Sequence, residues 1–301
     1  MILIVNIGEL AGVVPEGVLR KEGEAMSDAG VLENAWIALQ DGRISGFGPM
    51  GSEPSGAEVV VDAGGGMVMP AFCDSHTHLV YAGSRDGEFL DKLSGMTYGQ
   101  IAARGGGILN SSDLLNRTSE DELFRQSMMR VREVMDKGTG SLEIKSGYGL
   151  NPEGEMKMLR VIKRIGGSVP AIVKSTFLGA HAVGRGYTKE EYVRTVIDMM
   201  GEAATLCDFV DVFCDEGFFS VSDTARILTE ASRFGLRGKI HANELSVSGG
   251  VQVGVAHGAL SVDHLERTAE AEIEALRGTG TMPVMLPGTS FFLGIPYGRA
   301  K

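Results

Sequence analysis

The stretch "MPAFCDSHTHLVYAGSR", residues 69–85, decides the fold, because an apolar strand-like run ends there in two histidines one residue apart. Six further short apolar runs follow, with loops and amphipathic helix-like segments between them: "GSLEIKSG", "AIVKSTFLGAH", "FVDVFC", "GKIHANE", "ALSVDH" and "TMPVMLP". Strands that alternate with helices pair in parallel through right-handed crossovers. The pattern predicts an α/β fold, a (β/α)8 TIM-type barrel whose eighth strand is missing from this chain.

Two of the intervening segments begin with the same helix start signal. Ser119 with Glu122, and Thr188 with Glu191, have the spacing of a capping box, in which each side chain bonds the backbone of the other residue. The first of these helices is predicted to end at Gly138, since glycine commonly follows the last helical turn. These signals place helices where a parallel sheet needs its crossovers.

The first part of the chain has a different pattern. The runs "ILIVNI", "AWIALQDGRISGFG" and "AEVVVDAGGGMVM" are short and β-like, and Asp41-Gly42 is a hairpin turn signal. We therefore expect a small β-rich domain over residues 1–68, followed by the barrel over residues 69–301. An interacting β-module without its own chemistry is the simplest interpretation of the first domain.

Composition limits the partners that the protein can have. The formal net charge of the 301 residues is −11, which argues against nucleic acid and anionic membrane surfaces. Three cysteines without CxxC spacing indicate reduced thiols in the cytoplasm. The longest apolar runs fall short of the roughly 20 residues of a membrane helix. The net charge says little about small-molecule substrates, because a local pocket can still be basic.

Five of the six histidines fall at predicted strand ends, and His257 falls in a helix-like stretch. The five are His76, His78, His181, His241 and His264. Each alone could be a core histidine, but in such a barrel the chemistry collects at the carboxyl ends of the strands. Side chains at i and i+2 of a strand share a face, so His76 and His78 can bind one metal ion, with His241 as a third ligand. Imidazole suits Zn²⁺ or Fe²⁺, and three ligands leave a position open for hydrolysis.

Other polar residues are expected at the same end of the barrel. Glu244 could move protons or bind a ring nitrogen, and His264 could act as a general acid or base. Arg85 suits a bidentate carboxylate, and Tyr148 offers a hydroxyl donor. Lys145 could bridge a second metal if it were carbamylated, although a structural lysine is favoured. A solvated loop acid and an ordinary surface arginine remain the alternatives for Glu244 and Arg85.

With these residues in view, the chain resembles the imidazolonepropionase family of the amidohydrolase superfamily. The resemblance is carried, in order, by "DSHTHLVYAGSRDGEFLDKLSGMTYGQIAARGGGI", "LEIKSGYGLNPEGEMKMLRVI", "STFLGAHAV", "VDVFCDEGFFS", "KIHANELSVSGG" and "GALSVDHLE". It implies a metal-dependent hydrolase that opens the ring of 4-imidazolone-5-propanoate, a carboxylate-bearing substrate, to N-formimidoyl-L-glutamate in histidine degradation.

The resemblance also implies roles for particular residues. The implied metal ligands are His76, His78 and His241, which would hold one zinc or iron ion per chain. The implied substrate contacts are Arg85, Tyr148, His181 and Glu244. The implied catalytic groups, which position and activate water, are Glu244 and His264. A homodimer is implied as well.

The sequence departs from the family pattern at its end. The family has an aspartate ligand at the tip of an eighth strand, and this chain is expected to lack it because the sequence stops at Lys301. The resemblance thus implies a chain without its C-terminal part, and a composite β-sandwich over residues 1–68 that is incomplete without C-terminal strands. A second chain that donates the missing part is the alternative. The fourth barrel strand, "FVDVFCDEG", has no lysine, which favours one metal.

Two other functions remain open from the sequence. The first is another cyclic amidohydrolase or aminohydrolase on the same barrel, such as a ring deaminase. The second is an inactive truncated barrel that binds a ligand or a partner chain. Ammonia release would identify a deaminase, and protein purified without metal would favour the inactive barrel.

Overall fold

A computed structural model describes residues 1–96, 100 and 106–300. Backbone contacts divide the chain into two compact units, Met1–Ala71 and Phe72–Lys301. This division and the predicted one after residue 68 both fall in the connection between strands Met67–Val68 and Phe72–Thr77. Part of the long segment that follows the first histidines, residues 97–99 and 101–105, lies outside the described residues.

The first unit is fully described and is a β-sheet with one short 3-10 helix, Gly23–Ser27. Its strands are β1 (Ile2–Ala11), β2 (Val31–Gln40), β3 (Arg43–Pro49), β4 (Val59–Asp62) and β5 (Met67–Val68). The strand order is β3-β2-β1-β4, and β5 also pairs with β1. The completion of this unit by further strands stays a prediction.

The hairpin between β2 and β3 is confirmed. The two strands are antiparallel, with Gln40 opposite Arg43. Asp41 and Gly42 both have positive φ, 53° and 73°, which is the geometry of a type I′ turn. That turn twists in the same sense as the strands it joins.

The second unit is an α/β barrel that is nearly closed. In the described part of the chain its seven parallel strands are β6 (Phe72–Thr77), β7 (Thr139–Lys145), β8 (Ile172–Ala180), β9 (Phe209–Cys214), β10 (Arg237–Ala242), β11 (Ser261–His264) and β12 (Met282–Met285). They lie side by side in chain order, and β6 and β12 are the two edges. All seven predicted strands, and the α/β barrel class, are confirmed.

Helices alternate with these strands along the chain. They span Asp86–Leu93, Ile108–Arg117, Glu120–Asp136, Pro152–Gly166, Lys189–Ala203, Val221–Arg233, Gly250–Ala256, Glu270–Leu276 and Pro287–Leu293. Thr188 forms the full capping box with Glu191, as predicted. Ser119 accepts the Glu122 amide, but the Glu122 carboxylate bonds Arg125 and Gln126, so this box is only half formed. None of the described helices combines the length and apolar character needed to cross a membrane.

The barrel core lies between the sheet and these helices. One cluster of buried apolar side chains runs from Val80 to Leu265 and joins strand residues such as Ile144, Phe177 and Ile240 to the helices. Close packing of this kind fixes the strand register. The register in turn fixes which side chains emerge at the carboxyl ends of the strands.

Candidate active site

Five histidines gather at the carboxyl ends of the barrel strands. The histidine cluster consists of His76 in β6, His78 after β6, His181 after β8, His241 in β10 and His264 at the end of β11. Neighbouring rings of the cluster have centroids 4.5 to 5.7 Å apart. The structure therefore brings together the five side chains that the sequence placed at strand ends. His257 is exposed and caps helix Gly250–Ala256.

The spacing of the ring nitrogens suits a divalent metal ion. Nε2 of His241 lies 3.4 Å from Nε2 of His78, and a tetrahedral metal with bonds of about 2.0–2.1 Å holds two ligand nitrogens about 3.3–3.4 Å apart. Burial lowers the pKa of His181 and His241 to about 4 and that of His78 well below its usual value. These imidazoles are therefore neutral at physiological pH, the form in which they bind metals.

Two groups of three histidines bring donor atoms within 4.8 Å of one another. One group is His76, His241 and His264, and the other is His78, His181 and His241. Of the three predicted ligands, His76 belongs to the first group, His78 belongs to the second, and His241 belongs to both. Their assignment as the ligand set stays a proposal.

Buried aspartates stand behind two of these histidines. Oδ2 of Asp263 lies 2.6 Å from Nδ1 of His76, and Oδ2 of Asp211 lies 2.9 Å from Nδ1 of His241. Both aspartates are fully buried. A carboxylate at Nδ1 fixes the ring orientation, leaves Nε2 free for a metal and raises the basicity of the ligand.

Lys145 links these aspartates from within the barrel. Its Nζ lies 2.8 Å from Asp211 Oδ2, 2.8 Å from Glu143 Oε1 and 3.7 Å from Asp263 Oδ2, and the side chain is completely buried. Burial alone would lower the pKa of Lys145, but the three carboxylates raise it. Lys145 is thus a charged structural group, as the sequence favoured, and a second cation, Lys239, lies 3.4 Å from Asp263 Oδ2.

Glu244 and His264 lie next to each other. Nδ1 of His264 is 3.5 Å from Glu244 Oε2 and 3.6 Å from Glu266 Oε2. Burial raises the pKa of Glu244. His264 and Leu265 have positive φ, 85° and 63°, an uncommon conformation that clusters at functional sites.

The turn that carries Glu244 is held from the neighbouring strand. Asp215, directly after β9, accepts hydrogen bonds from the amides of Leu245 and Ser246, at 2.8 and 3.1 Å. The Ser246 hydroxyl donates to the same carboxylate. This buried acid fixes the backbone directly after Glu244 and so helps to position the Glu244 side chain.

A cavity of about 680 Å³ opens beside the cluster. Its lining includes His78, Arg85 and Tyr148, together with an aromatic wall of Phe89 and Phe292, whose rings stack with centroids 5.5 Å apart. A cavity of this size suits a small molecule, and the convergence of a cation, a phenol and an imidazole suits a polar one.

Arg85 and Tyr148, two of the polar side chains that line the cavity, have defined partners. Nε and Nη2 of Arg85 lie 2.9 and 2.5 Å from Glu88 Oε2. Tyr148 packs against His78 and His181, with ring centroids 5.7 and 5.5 Å away. Burial raises the pKa of Tyr148, so its hydroxyl stays protonated and can donate a hydrogen bond at neutral pH.

Sequence reasoning missed the charged residues behind the histidines. Asp211 and Asp263 were read only as parts of strand-like runs. Yet Asp211 is the one acid inside the apolar run "FVDVFC", and a charge is rarely fully buried unless it is paired. Glu143 was missed as well, although it stands two residues before Lys145 in "LEIKS" and therefore faces the barrel interior with it.

Solved structures of other proteins share this fold. The chain superposes on 5-methylcytosine deaminase from Klebsiella pneumoniae with a TM-score of 0.69 at 15% identity, over 97% of this chain and 67% of that one. A zinc-bound adenosine deaminase from Xanthomonas campestris matches with a TM-score of 0.65 at 15% identity, over 99% and 65%. At such identities the likeness concerns the fold alone.

Sequence relatives are much more similar. No family model matches the chain. Imidazolonepropionase of Flavobacterium johnsoniae is 50% identical over 99% of this chain and 74% of its own length. The imidazolonepropionases of Christiangramia forsetii and Thermoanaerobacter pseudethanolicus are 47% and 37% identical, over the whole of this chain and 74% and 73% of their own. The chain therefore belongs to the imidazolonepropionase family.

Proposed function

We propose that this protein hydrolyses the cyclic amide of 4-imidazolone-5-propanoate to N-formimidoyl-L-glutamate, in histidine degradation. The observation that carries the proposal is the histidine cluster beside a cavity lined by Arg85 and Tyr148, in a chain up to 50% identical to imidazolonepropionases. The substrate has a carboxylate that Arg85 can bind and a ring carbonyl that water can attack.

We assign His76, His78 and His241 as the ligands of one divalent metal ion, zinc or iron. The distance between the His78 and His241 nitrogens supports this set, as do the aspartates at Nδ1 of His76 and His241. Such an ion, when bound, polarises a carbonyl oxygen and lowers the pKa of water.

The cavity residues position the substrate. Arg85 binds the propionate, for which its planar guanidinium is suited. Tyr148 donates its hydroxyl hydrogen to the substrate, and His181, stacked on His78 at 5.2 Å, contacts the imidazolone ring. In this position the ring carbonyl faces the histidine cluster. The translational and rotational entropy of the substrate is then lost on binding, before the reaction begins.

Glu244 and His264 carry out the proton transfers. His264 orients the attacking water and stabilises the charge that develops on the carbonyl oxygen. Glu244, whose pKa is raised by burial, takes a proton from the water side and returns it to the ring nitrogen as the C–N bond breaks. Their closest atoms lie 3.5 Å apart, so the charge of one group affects the protonation of the other.

A ring deaminase on the same barrel is less favoured. The deaminases share about 15% identity with this chain, whereas the sequence relatives at 37–50% are imidazolonepropionases. An inactive barrel is also less favoured, because the cluster places several neutral imidazoles within metal-binding distance.

We also propose a cytoplasmic homodimer. The free thiols of Cys73, Cys207 and Cys214 support a reducing compartment, and the dimer rests on the family resemblance. The net charge of −11 supports the expectation that neither nucleic acid nor a membrane surface is a partner.

The test is hydrolysis of freshly generated imidazolonepropionate, followed by loss of the ultraviolet absorbance of the ring. Protein loaded with zinc or iron is compared with His76→Ala, and with His257→Ala as a histidine variant away from the cluster. Turnover that disappears in His76→Ala and persists in His257→Ala supports the proposal. Absence of turnover both by the metal-loaded protein and by a chain extended to the full length of its relatives rejects the substrate. Ammonia release from an amino-substituted ring would instead establish a deaminase.

A further inference from the structure

The loop that carries Tyr148 is held by a residue that does not line the cavity. This loop, residues 146–150, joins strand β7 to helix Pro152–Gly166. We propose that the buried carboxylate of Glu155 is the positioning residue that holds Tyr148 in place for the substrate. The inference rests on the proposed function, because Tyr148 is assigned there as a substrate contact.

Glu155 receives three backbone hydrogen bonds from this one loop. Its Oε2 accepts from the Gly147 amide at 2.9 Å. Its Oε1 accepts from the amides of Gly149 and Leu150, at 2.7 and 2.9 Å. The carboxylate therefore binds the loop backbone on both sides of Tyr148.

The burial of this carboxylate calls for an explanation. Glu155 is 0% exposed, and a buried charge is costly unless hydrogen bonds compensate for it. Burial raises its pKa, while hydrogen bonds from the Ser146 side chain and from the loop amides lower it. In the described part of the chain, the hydrogen-bond partners of this carboxylate all belong to the loop, so its charge stabilises the conformation of the loop.

The remaining contacts of the loop show why its position matters at the site. The carbonyl of Gly147 lies 2.9 Å from Nδ1 of His181, and the Tyr148 amide lies 3.3 Å from Sδ of Met158. The backbone of the loop is thus fixed from inside the protein. Of the loop side chains, Tyr148 lines the cavity, where its ring lies beside His78 and His181.

Close packing explains how Glu155 reaches the loop. A Cβ on Gly149 would lie 2.2 Å from the Glu155 amide nitrogen, and a Cβ on Gly154 would lie 2.7 Å from Gly149 Cα. The two glycines let the loop lie directly against the first turn of the helix. The carboxylate can then fold back on to amides only a few residues earlier in the chain.

The decisive substitution is Glu155→Gln, which keeps the size of the side chain and removes its charge. One glutamine NH2 group would face an amide N–H, so two donors would meet and the loop would shift. A misplacement of about 1 Å can cost about 100-fold in rate, and we expect kcat/KM to fall about 10- to 100-fold. The matched control is Glu272→Gln, a buried glutamate that caps helix Glu270–Leu276 away from the cavity, for which we expect a change within about twofold.

A double-mutant cycle with Tyr148→Phe separates positioning from general stability. If Glu155 acts through Tyr148, Glu155→Gln costs less than about threefold in the Tyr148→Phe background, because the group that it positions is already lost. An equal fold-loss in both backgrounds would overturn the proposal. A folded Glu155→Gln protein with unchanged kcat/KM would overturn it as well.

Two further measurements keep the test independent of folding and of the substrate. If Glu155→Gln does not fold, Ser146→Ala removes one hydrogen bond to the same carboxylate; we expect a loss of about fivefold that also shrinks in the Tyr148→Phe background, and unchanged kinetics would overturn the proposal. Without substrate, amide hydrogen exchange at Gly147, Gly149 and Leu150 should be slow in the wild type and accelerated in Glu155→Gln. Absence of turnover by the wild type and by a chain extended to the length of its relatives would reject the proposed function. Fast exchange of these wild-type amides would instead reject the role of Glu155.

Discussion

Nε2 of His241 faces Nε2 of His78 at 3.4 Å, although the two residues lie 163 positions apart in the sequence. Two neutral imidazoles can share at most one proton at this distance, whereas a cation between them satisfies both lone pairs. His241 also belongs to both groups of potential ligands in the cluster. It is therefore the residue on which metal binding depends most.

Replacement of His241 or His78 by alanine should abolish metal retention. Each substitution removes one of the two facing nitrogens, so the protein should lose zinc or iron on gel filtration, as measured by elemental analysis. His257→Ala, which changes an exposed histidine, should keep the wild-type metal content. Wild-type metal content in His241→Ala would contradict the assignment of the site.

The aspartates behind the histidines should affect metal affinity without contacting the metal. Asp211→Asn and Asp263→Asn weaken the partner at Nδ1 of His241 and His76, and changes of this kind typically cost about 10- to 100-fold in affinity. Competition with a chelator measures the dissociation constant. Asp208→Asn is the control, because Asp208 pairs with Lys174 at 2.7 Å away from the cluster and should leave the affinity unchanged.

Lys145 should contribute strongly to stability. Lys145→Met leaves Asp211, Glu143 and Asp263 buried without their shared cation, and removal of one partner of a buried ion pair costs about 3–5 kcal/mol. Urea unfolding of the metal-free protein measures this loss. Lys174→Met breaks a partly exposed pair and should cost under about 1 kcal/mol; losses of equal size would show that the buried network has no special role.

Arg85 should be specific for the carboxylate of the substrate. Arg85→Met removes charge-assisted hydrogen bonds, so kcat/KM should fall about 10- to 100-fold, chiefly through KM. With 4-imidazolone, which has no propionate, wild type and variant should be equally poor. Arg185→Met, which changes an exposed arginine paired with Asp113, provides the control. A loss that persists with 4-imidazolone would show that Arg85 acts on the ring or on the fold instead.

Glu88, the partner of Arg85, should contribute a pH-dependent part of stability. Burial raises the pKa of Glu88, but Arg85 and the Gly107 amide lower it more, so it lies below the ordinary value of 4.5. A lowered carboxyl pKa gives stability that is fully present above that ordinary value and is lost as the pH falls through the folded-state pKa. The difference in unfolding free energy between wild type and Glu88→Gln should thus be largest near neutral pH and shrink as the pH falls below 4.5. A constant difference would show that the charge of Glu88 does not matter.

The barrel and its histidines could be predicted because they depend on local patterns. Each strand is a short apolar run, and parallel pairing in chain order needs no information beyond that order. The end of a strand also fixes the position of residues such as His181 and His264 along the barrel axis. The convergence of the cluster therefore follows from periodicity alone.

The charged residues behind the cluster could not be predicted in the same way. Asp211 meets His241 through the register of β9 against β10, in which Val212 is opposite Ile240. Lys145 reaches both Asp211 and Asp263 across the interior of the barrel, and no sequence spacing encodes that reach. The contacts of Glu155 likewise arise from the path of a loop over a helix end, which glycines at 149 and 154 permit but do not specify.

The acids that hold the loops also have a consequence for how the enzyme can change. Glu155 and Asp215 bind backbone amides, which every residue except proline provides. Apart from Gly147 and Gly149, which the backbone path requires, the loop residues can therefore be exchanged while the loop keeps its conformation. The mouth of the barrel can then acquire a new specificity by substitution at a position such as Tyr148, without a new scaffold, so these loops are natural targets for directed evolution.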